Sequence, residues 1–298
     1  VIVISGLVAV FSVGFGRVSA QGAPVSFNTA LPVTEGQWIF RAQLKYIRSS
    51  GDPTPSNRKL RVLAVPLVGV YGVSEKLALF GIFPLLDKSL YINTPSGRVN
   101  RGVSGPGDAS FLARYTLFKR DLPGQTFRLA PFVGVEAPTG KDDEEDALGK
   151  LPRPLQLGSG SWDPATGMVA TWQTLSWEVD AAVSYKLNTK ADGFKFGDEA
   201  RVDFSYQYRA WPQELSSGVP AYVYAVIESN LTWKGKNEIA GVRDGDSGGV
   251  VWNVAPGIQY VTRKFIVEGA IQFPLIQNLN GNGLENDFAT TLSVRANF

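Results

Sequence analysis

The sequence predicts an all-β protein, a single antiparallel transmembrane β-barrel of about twelve strands set in the bacterial cell outer membrane. Three observations carry this. The residues from Asp287 to Phe298 alternate between an apolar set (Phe288, Leu292, Val294, Ala296, Phe298) and a polar set (Thr291, Ser293, Arg295, Asn297), ending on an aromatic ring. The same period of two recurs from Gln37 onward in segments of about 10 residues, beyond the 5 to 6 usual in soluble sheets and suited to a tilted bilayer crossing. The links between segments alternate between long and short, as in barrels whose periplasmic turns are tight and whose outer loops are extended.

Taken in order, Val1 to Gly16 is apolar and uncharged, and Arg17-Val18-Ser19-Ala20 follows with small residues suited to cleavage. Residues 1–20 are therefore expected to be a secretory signal peptide, incomplete at its N-terminus because neither an initiator Met nor a basic start precedes it. A membrane helix would need about 20 apolar residues, more than this Gly- and Ser-rich run provides. Residues 21–36 are expected to form a short periplasmic N-terminal segment, and 37–298 the barrel.

The first wall segment, Trp38 to Tyr46, sets Trp38, Phe40, Ala42, Leu44 and Tyr46 against Ile39, Arg41, Gln43 and Lys45. Weaker alternation marks Leu60 to Tyr71, Leu77 to Leu85, Asp108 to Phe118, Phe127 to Ala137 and Met168 to Leu175. Trp177 to Asn188 and Phe196 to Ala210 alternate cleanly. Ala221 to Trp233, Val250 to Val261, Phe265 to Leu275 and the final segment complete the set. Long links follow the odd segments (Ser50 to Arg58, Asp87 to Gly105, Gly140 to Gly160, Lys234 to Gly248, Asn278 to Asn286), which puts both termini in the periplasm. Most links after even segments are tight, although Trp211 to Val219 is longer. Trp38, Trp177 and Trp211 fall near one border, and Trp233 and Trp252 near the other, as interfacial belts require. Pro66, Pro84, Pro131, Pro256 and Pro274 each remove a ladder donor and are expected at bulges or strand ends.

Charged residues on the polar faces must point inward, since a basic side chain facing lipid at mid-depth costs about 2 to 4 kcal/mol. The predicted lumen lining is Arg41, Lys45, Arg114, Arg128, Glu136, Glu178, Asp180, Glu199, Arg201, Asp203, Arg209, Glu268 and Arg295. Both signs occur, which implies cross-bracing and weak ion selectivity. If Arg41, Arg114, Arg128, Arg201 and Arg295 instead gathered at one constriction, their summed field would favour anions.

Several segments together resemble an outer-membrane family of small-molecule transporters named for the meta pathway of phenol degradation. The resemblance rests on Gly105-Pro106-Gly107-Asp108 with Ala113-Arg114-Tyr115, on Pro131 to Gly140 (PFVGVEAPTG) and on Leu157-Gly158-Ser159-Gly160-Ser161. Ala255-Pro256-Gly257-Ile258-Gln259-Tyr260 and the terminal Phe298 extend it over most of the mature chain. It implies a channel or transporter for passive uptake of small molecules, with hydrophobic or aromatic compounds suggested by the family's name. The competing reading is a non-conducting structural or adhesive barrel.

Composition narrows the field. The chain has no Cys, so it holds no disulfide or thiolate metal site, and no His, so it lacks the commonest general base. Gly245-Asp246-Ser247-Gly248-Gly249 copies the surroundings of a serine-protease nucleophile, but without an imidazole it reads as a loop. The expectation is no enzyme, no cofactor and no protein metal centre. Asp142-Asp143-Glu144-Glu145-Asp146 reads as a solvated, self-repelling loop, with divalent-cation bridging to lipopolysaccharide as its functional alternative. Net charge is +2 with no polybasic stripe, which excludes nucleic acid. The expected partners are outer-membrane lipid and lipopolysaccharide, a small-molecule solute, and the barrel-assembly machinery, with Phe298 as the assembly signal.

Overall fold

The computed structural model describes residues 22–214 and 220–298; the expected signal segment lies outside them. The wall begins with β1 (Trp38–Gly51), β2 (Lys59–Gly72) and β3 (Leu77–Thr94). The fourth wall strand is one descending run in three pieces, β4 (Gly97–Pro106), β5 (Ala109–Tyr115) and β6 (Phe118–Leu122), the last two both pairing with β7 (Gln125–Ala137). It continues through β8 (Asp163–Thr174), β9 (Trp177–Lys186), β10 (Glu199–Trp211), β11 (Ala221–Lys234), β12 (Gly249–Thr262), β13 (Phe265–Leu279) and β14 (Glu285–Asn297). Each wall strand pairs antiparallel with its neighbours, and β14 returns to β1, from Ile39↔Asn297 to Gly51↔Glu285. The result is a closed antiparallel barrel of twelve wall strands, so no strand edge faces lipid.

The outward face follows the alternation. Phe40, Leu44, Leu63, Leu67, Phe83, Val183, Phe204, Ile258, Leu292 and Val294 are all exposed on the wall. Trp38 lies 4.8 Å from the Tyr71 ring and Trp172 4.8 Å from that of Trp177, building an aromatic girdle at the turn side.

Two stretches depart from the sequence reading. Asp87 to Gly105, expected as a loop, is largely strand: β3 runs on to Thr94 and β4 pairs with its upper half, Leu85↔Pro106 to Thr94↔Gly97. Beyond the bilayer both faces are wet, so the period of two that betrays a strand disappears. Pro66 and Pro84 stand opposite one another in the β2–β3 register rather than at strand ends. The β1–β2 ladder lapses beside Pro66, between Ala42↔Leu67 and Lys45↔Ala64. Pro274 does sit at a bulge, where the β12–β13 register shifts between Trp252 and Asn253.

The larger correction concerns residues 21–36, expected in the periplasm. Residues 23–33 instead run inside the barrel, where Val25, Ala30 and Leu31 are buried. Their backbone bonds to β1, β5, β8, β11 and β12, strands from all around the wall. A segment bonded to every side can only occupy the lumen. Its Val33 packs with Val70, Ala78 and Phe80 on β2 and β3, while Ala30 packs with Ala130 and Val169 on β7 and β8. The physical reason is mutual: the segment is uncharged up to Glu35, and the inward wall carries donors and acceptors that must find partners once the segment covers them.

Candidate lumen pathway

The inward side chains form a polar scaffold around that segment. Glu228 on β11 accepts the Val25 amide at 2.6 Å and the Ser26 amide at 3.2 Å. Thr171 on β8 accepts the Ala30 amide at 2.7 Å, and its hydroxyl donates to Asp180 on β9. Arg114 on β5 donates to the carbonyls of Thr29 and Leu31, with its guanidinium 5.0 Å over the Phe80 ring. Arg41 and Gln43 on β1 both donate to the Val25 carbonyl, at 2.6 and 3.1 Å. Gln259 on β12 donates to the Ala23 carbonyl and, at 2.9 Å, to Glu268.

Many of the inward charges are paired, and the buried Glu178 and Asp180 share an amide donor instead. Glu268 holds Arg41 at 2.5 Å and Arg295 at 3.7 Å. Asp203 accepts from Arg201 at 3.0 Å and from Asn230 at 2.8 Å. Gln207 bridges Asp180 at 3.1 Å and Glu178 at 3.4 Å. Glu136 takes Lys186 at 3.2 Å, and Glu199 takes Lys234 at 3.2 Å. Arg128 and Arg209 are also buried but serve the turn side: Arg128 pairs with Asp121, and Arg209 donates to the carbonyls of Leu175 and Gln213. The predicted lining, drawn from charges alone, left out Gln43 and Gln207 on the same polar faces, and sequence reasoning missed Thr171, Glu228, Asn230 and Gln259, and the lumen segment itself. The uncharged run between Gly22 and Thr34, too polar for a leader and too irregular for a strand, was the available signal.

Three cavities follow one another down the lumen. The outermost, about 460 Å³, is lined by Lys88, Asp108, Glu136, Arg153, Lys186, Glu199 and Lys234 among others. It shares Lys186 and Glu199 with a middle cavity of about 230 Å³ that also meets Phe132, Arg201, Asp203 and the bend at Ser26, Phe27 and Asn28. That bend in turn borders an inner cavity of about 320 Å³ between the lumen segment and the β1–β3 wall. Phe27, Leu31, Val33, Ile39, Val68, Val70, Phe80 and Ile82 give the inner cavity apolar sides. Arg41, Lys45, Arg114 and Arg295 also line it, and among the described residues no carboxylate does. Of the arginines whose clustering would favour anions, the structure thus gathers Arg41, Arg114 and Arg295, leaves Arg201 in the middle cavity, and places Arg128 elsewhere.

The rim is assembled from the motifs quoted above. Asp108 of the Gly-Pro-Gly-Asp run accepts the amides of Gly140 at 2.9 Å and Ser159 at 2.6 Å. Thr139 accepts the Ala109 amide at 2.8 Å and donates to Gly107 at 3.1 Å. Gly140 and Gly158 approach so closely that a Cβ on Gly158 would stand 2.3 Å from the Gly140 carbonyl. The acidic run is not left to repel itself: Asp142 pairs with Arg153, Glu144 with Lys141 and Asp146 with Arg101. Ser247 is committed to its loop, accepting the Asn237 amide at 2.8 Å and donating to the Asp244 carbonyl at 3.0 Å.

The family described as "Putative MetA-pathway of phenol degradation" matches residues 54–273. The chain belongs to that family. Among solved structures it is similar to an outer membrane channel from Pseudomonas putida F1, at 18% identity and a TM-score of 0.69, over 93% of this chain and 100% of that one. It is also similar to the translocator domain of the autotransporter NalP from Neisseria meningitidis, at 10% identity and a TM-score of 0.45, over 89% of this chain and 90% of that one. No curated protein matches. The family and the closed twelve-strand wall place the chain in the bacterial outer membrane.

Proposed function

We propose that this family member is a channel for passive passage of small molecules, and that its solutes combine an apolar, aromatic-sized body with an anionic group. One observation supports the reading: the inner cavity joins apolar walls to four cationic side chains, with no carboxylate among its described lining residues. Its volume, about 320 Å³, falls at the lower end of the range of about 300 to 1,000 Å³ typical of small-molecule sites. Arg41 and Arg295 are partly neutralised by Glu268, but Lys45 makes no ion pair among the described residues. Its ammonium group, which feels Glu228 only at a distance, is left to attract a solute. The absence of histidine, and the engagement of Ser247 within its loop, support a non-enzymatic role.

Liposome flux tests the proposal. An aromatic carboxylate such as benzoate should pass faster than its neutral amide, and both faster than a hexose. Equal rates for all three would remove the solute assignment, and verified folded protein without any flux would favour the structural barrel.

A further inference from the structure

A second feature lies on the outside of the wall. Arg48 on β1 and Arg61 on β2 are cross-strand partners in register, and Lys59 is the partner of Tyr91 on β3. Arg98 on β4 pairs with Asn93 and brings its guanidinium to 5.5 Å from the Tyr91 ring, while that of Arg61 stands at 5.3 Å. The five side chains surround one shallow surface groove. They share the outward face: Arg48 follows Trp38, Phe40 and Leu44 in the exposed alternation of β1, and Arg61 precedes Leu63 and Leu67 in that of β2.

Like charges directly opposite in a sheet are destabilising. Among the described residues only Arg48 has a carboxylate, Asp287 at 3.0 Å, and Lys59, Arg61 and Arg98 form no ion pair. Asp87, on the same outer face of β3, is in register with Leu63, one step nearer the periplasm. The cluster therefore carries an excess of positive charge that the protein leaves uncompensated.

Its height identifies the counter-charge. Arg48 lies ten residue steps along β1 from Trp38 in the turn-side girdle, which the strand order puts at the periplasmic border. At a rise of about 3.3 Å and a tilt of about 40° they span roughly 25 Å, the height of a barrel's apolar band. The groove thus opens at the level of the outer-leaflet headgroups, with the lipid-facing leucines of β1 and β2 directly below it. We infer that Arg48, Lys59, Arg61 and Arg98, arrayed around Tyr91, form a binding site for the phosphates of a phosphorylated outer-leaflet glycolipid, the lipid A part of lipopolysaccharide. Guanidinium forks match phosphate oxygens in pairs, and the apolar belt receives the acyl chains. The site is independent of whether the lumen conducts.

Native mass spectrometry of the purified barrel in detergent tests this, using lipid A with two phosphates, with one, and with none, and inorganic phosphate as a separate arm. Retention should fall along the lipid series, and inorganic phosphate at equal concentration should neither bind measurably nor displace the lipid. R61Q/R98Q should weaken diphosphoryl lipid A binding about thirtyfold, and R61K/R98K much less. Equal retention of the three lipids, displacement by inorganic phosphate, or unchanged binding by R61Q/R98Q with native heat-modifiable migration would each overturn the site. If R61Q/R98Q fails to fold, the phosphate series on the unaltered protein decides alone.

Discussion

Trp38 and Phe298 exchange both backbone hydrogen bonds, Trp38 N to Phe298 O at 3.0 Å and Phe298 N to Trp38 O at 2.8 Å. The Phe298 ring meets that of Phe40 edge-on at 5.9 Å and stays 55% exposed at the turn-side border of the wall. The first and last wall strands are thus joined as far as Trp38 and Phe298.

Phe298→Asp should lower the amount of inserted barrel far more than it lowers the unfolding temperature of the fraction that does insert. The β1–β14 ladder above it stays intact, with its pairs from Ile39↔Asn297 onward. Outer-membrane levels and heat-modifiable migration of the variant check this; normal levels would refute a role for the ring in assembly.

Removing residues 22–34 should open the lumen and raise single-channel conductance several-fold. Water would then hydrate Glu228, Thr171 and Arg114, which now bond to that segment. Because those groups regain partners from solvent, the wall should persist, and its heat-modifiable migration reports on that. Unchanged conductance in a folded deletion variant would mean that the segment does not obstruct the path.

The wall was legible because lipid enforces a strict period of two, as in Trp38 to Tyr46 and Trp177 to Asn188, where every second residue answers to the bilayer. Beyond the bilayer that constraint ends, and the β3–β4 extension around Leu90 to Val99 escaped notice. The inward charges were legible as a set, but not their grouping: nothing local in the sequence says that Glu268 serves both Arg41 and Arg295, or that Arg128 and Arg209 brace turns. Glu228 was hidden because Ala221 to Trp233 alternates weakly, with Tyr222 and Tyr224 on the face that Glu228 and Asn230 share. The lumen segment has no period at all, since each residue answers to a different wall strand.

The rim offers a test of topology and packing together. An epitope inserted at Glu144 should be detectable on intact cells, because that loop lies at the opposite end of the wall from Trp38 and Phe298. Gly158→Val should leave the wall folded but free the loop, since its side chain would collide with the Gly140 backbone. Protease cleavage within 141–157 should then accelerate on whole cells. Detection of the epitope only after permeabilisation would invert the orientation.

The β1–β2 loop should resist mild acid. Asp52 accepts the Arg58 guanidinium at 2.6 Å and the amides of Thr54 and Arg58, and the Arg58 hydrogen bond holds its carboxyl well below the usual carboxylate range. A depressed folded value means that the stabilisation is complete above the unfolded value of about 4 and is lost only as pH falls further, through the folded value. Hydrogen exchange of residues 52–58 should therefore show no change in protection between pH 8 and pH 5, and Asp52→Asn should lose protection throughout. Loosening of the unaltered loop already at pH 5 would contradict the Asp52–Arg58 assignment.

Selectivity isolates the inner cavity. A balanced total charge implies weak preference, but a solute responds to the field where the path is narrowest, and there Arg41, Lys45, Arg114 and Arg295 act together. Reversal potentials in a salt gradient should show anion preference. Lys45 is the residue to change, because reversing Arg41 would leave Glu268 in direct contact with a new carboxylate, whereas Lys45 makes no ion pair among the described residues and feels Glu228 only at a distance. Lys45→Glu should cut or invert the preference and slow benzoate more than its amide, while Lys45→Arg preserves both. Arg128→Gln, altered at the turn side, should leave the reversal potential where it was. If Arg128→Gln moves it as far as Lys45→Glu does, the field is set by the whole lumen and the inner cavity has no special part in choosing the solute.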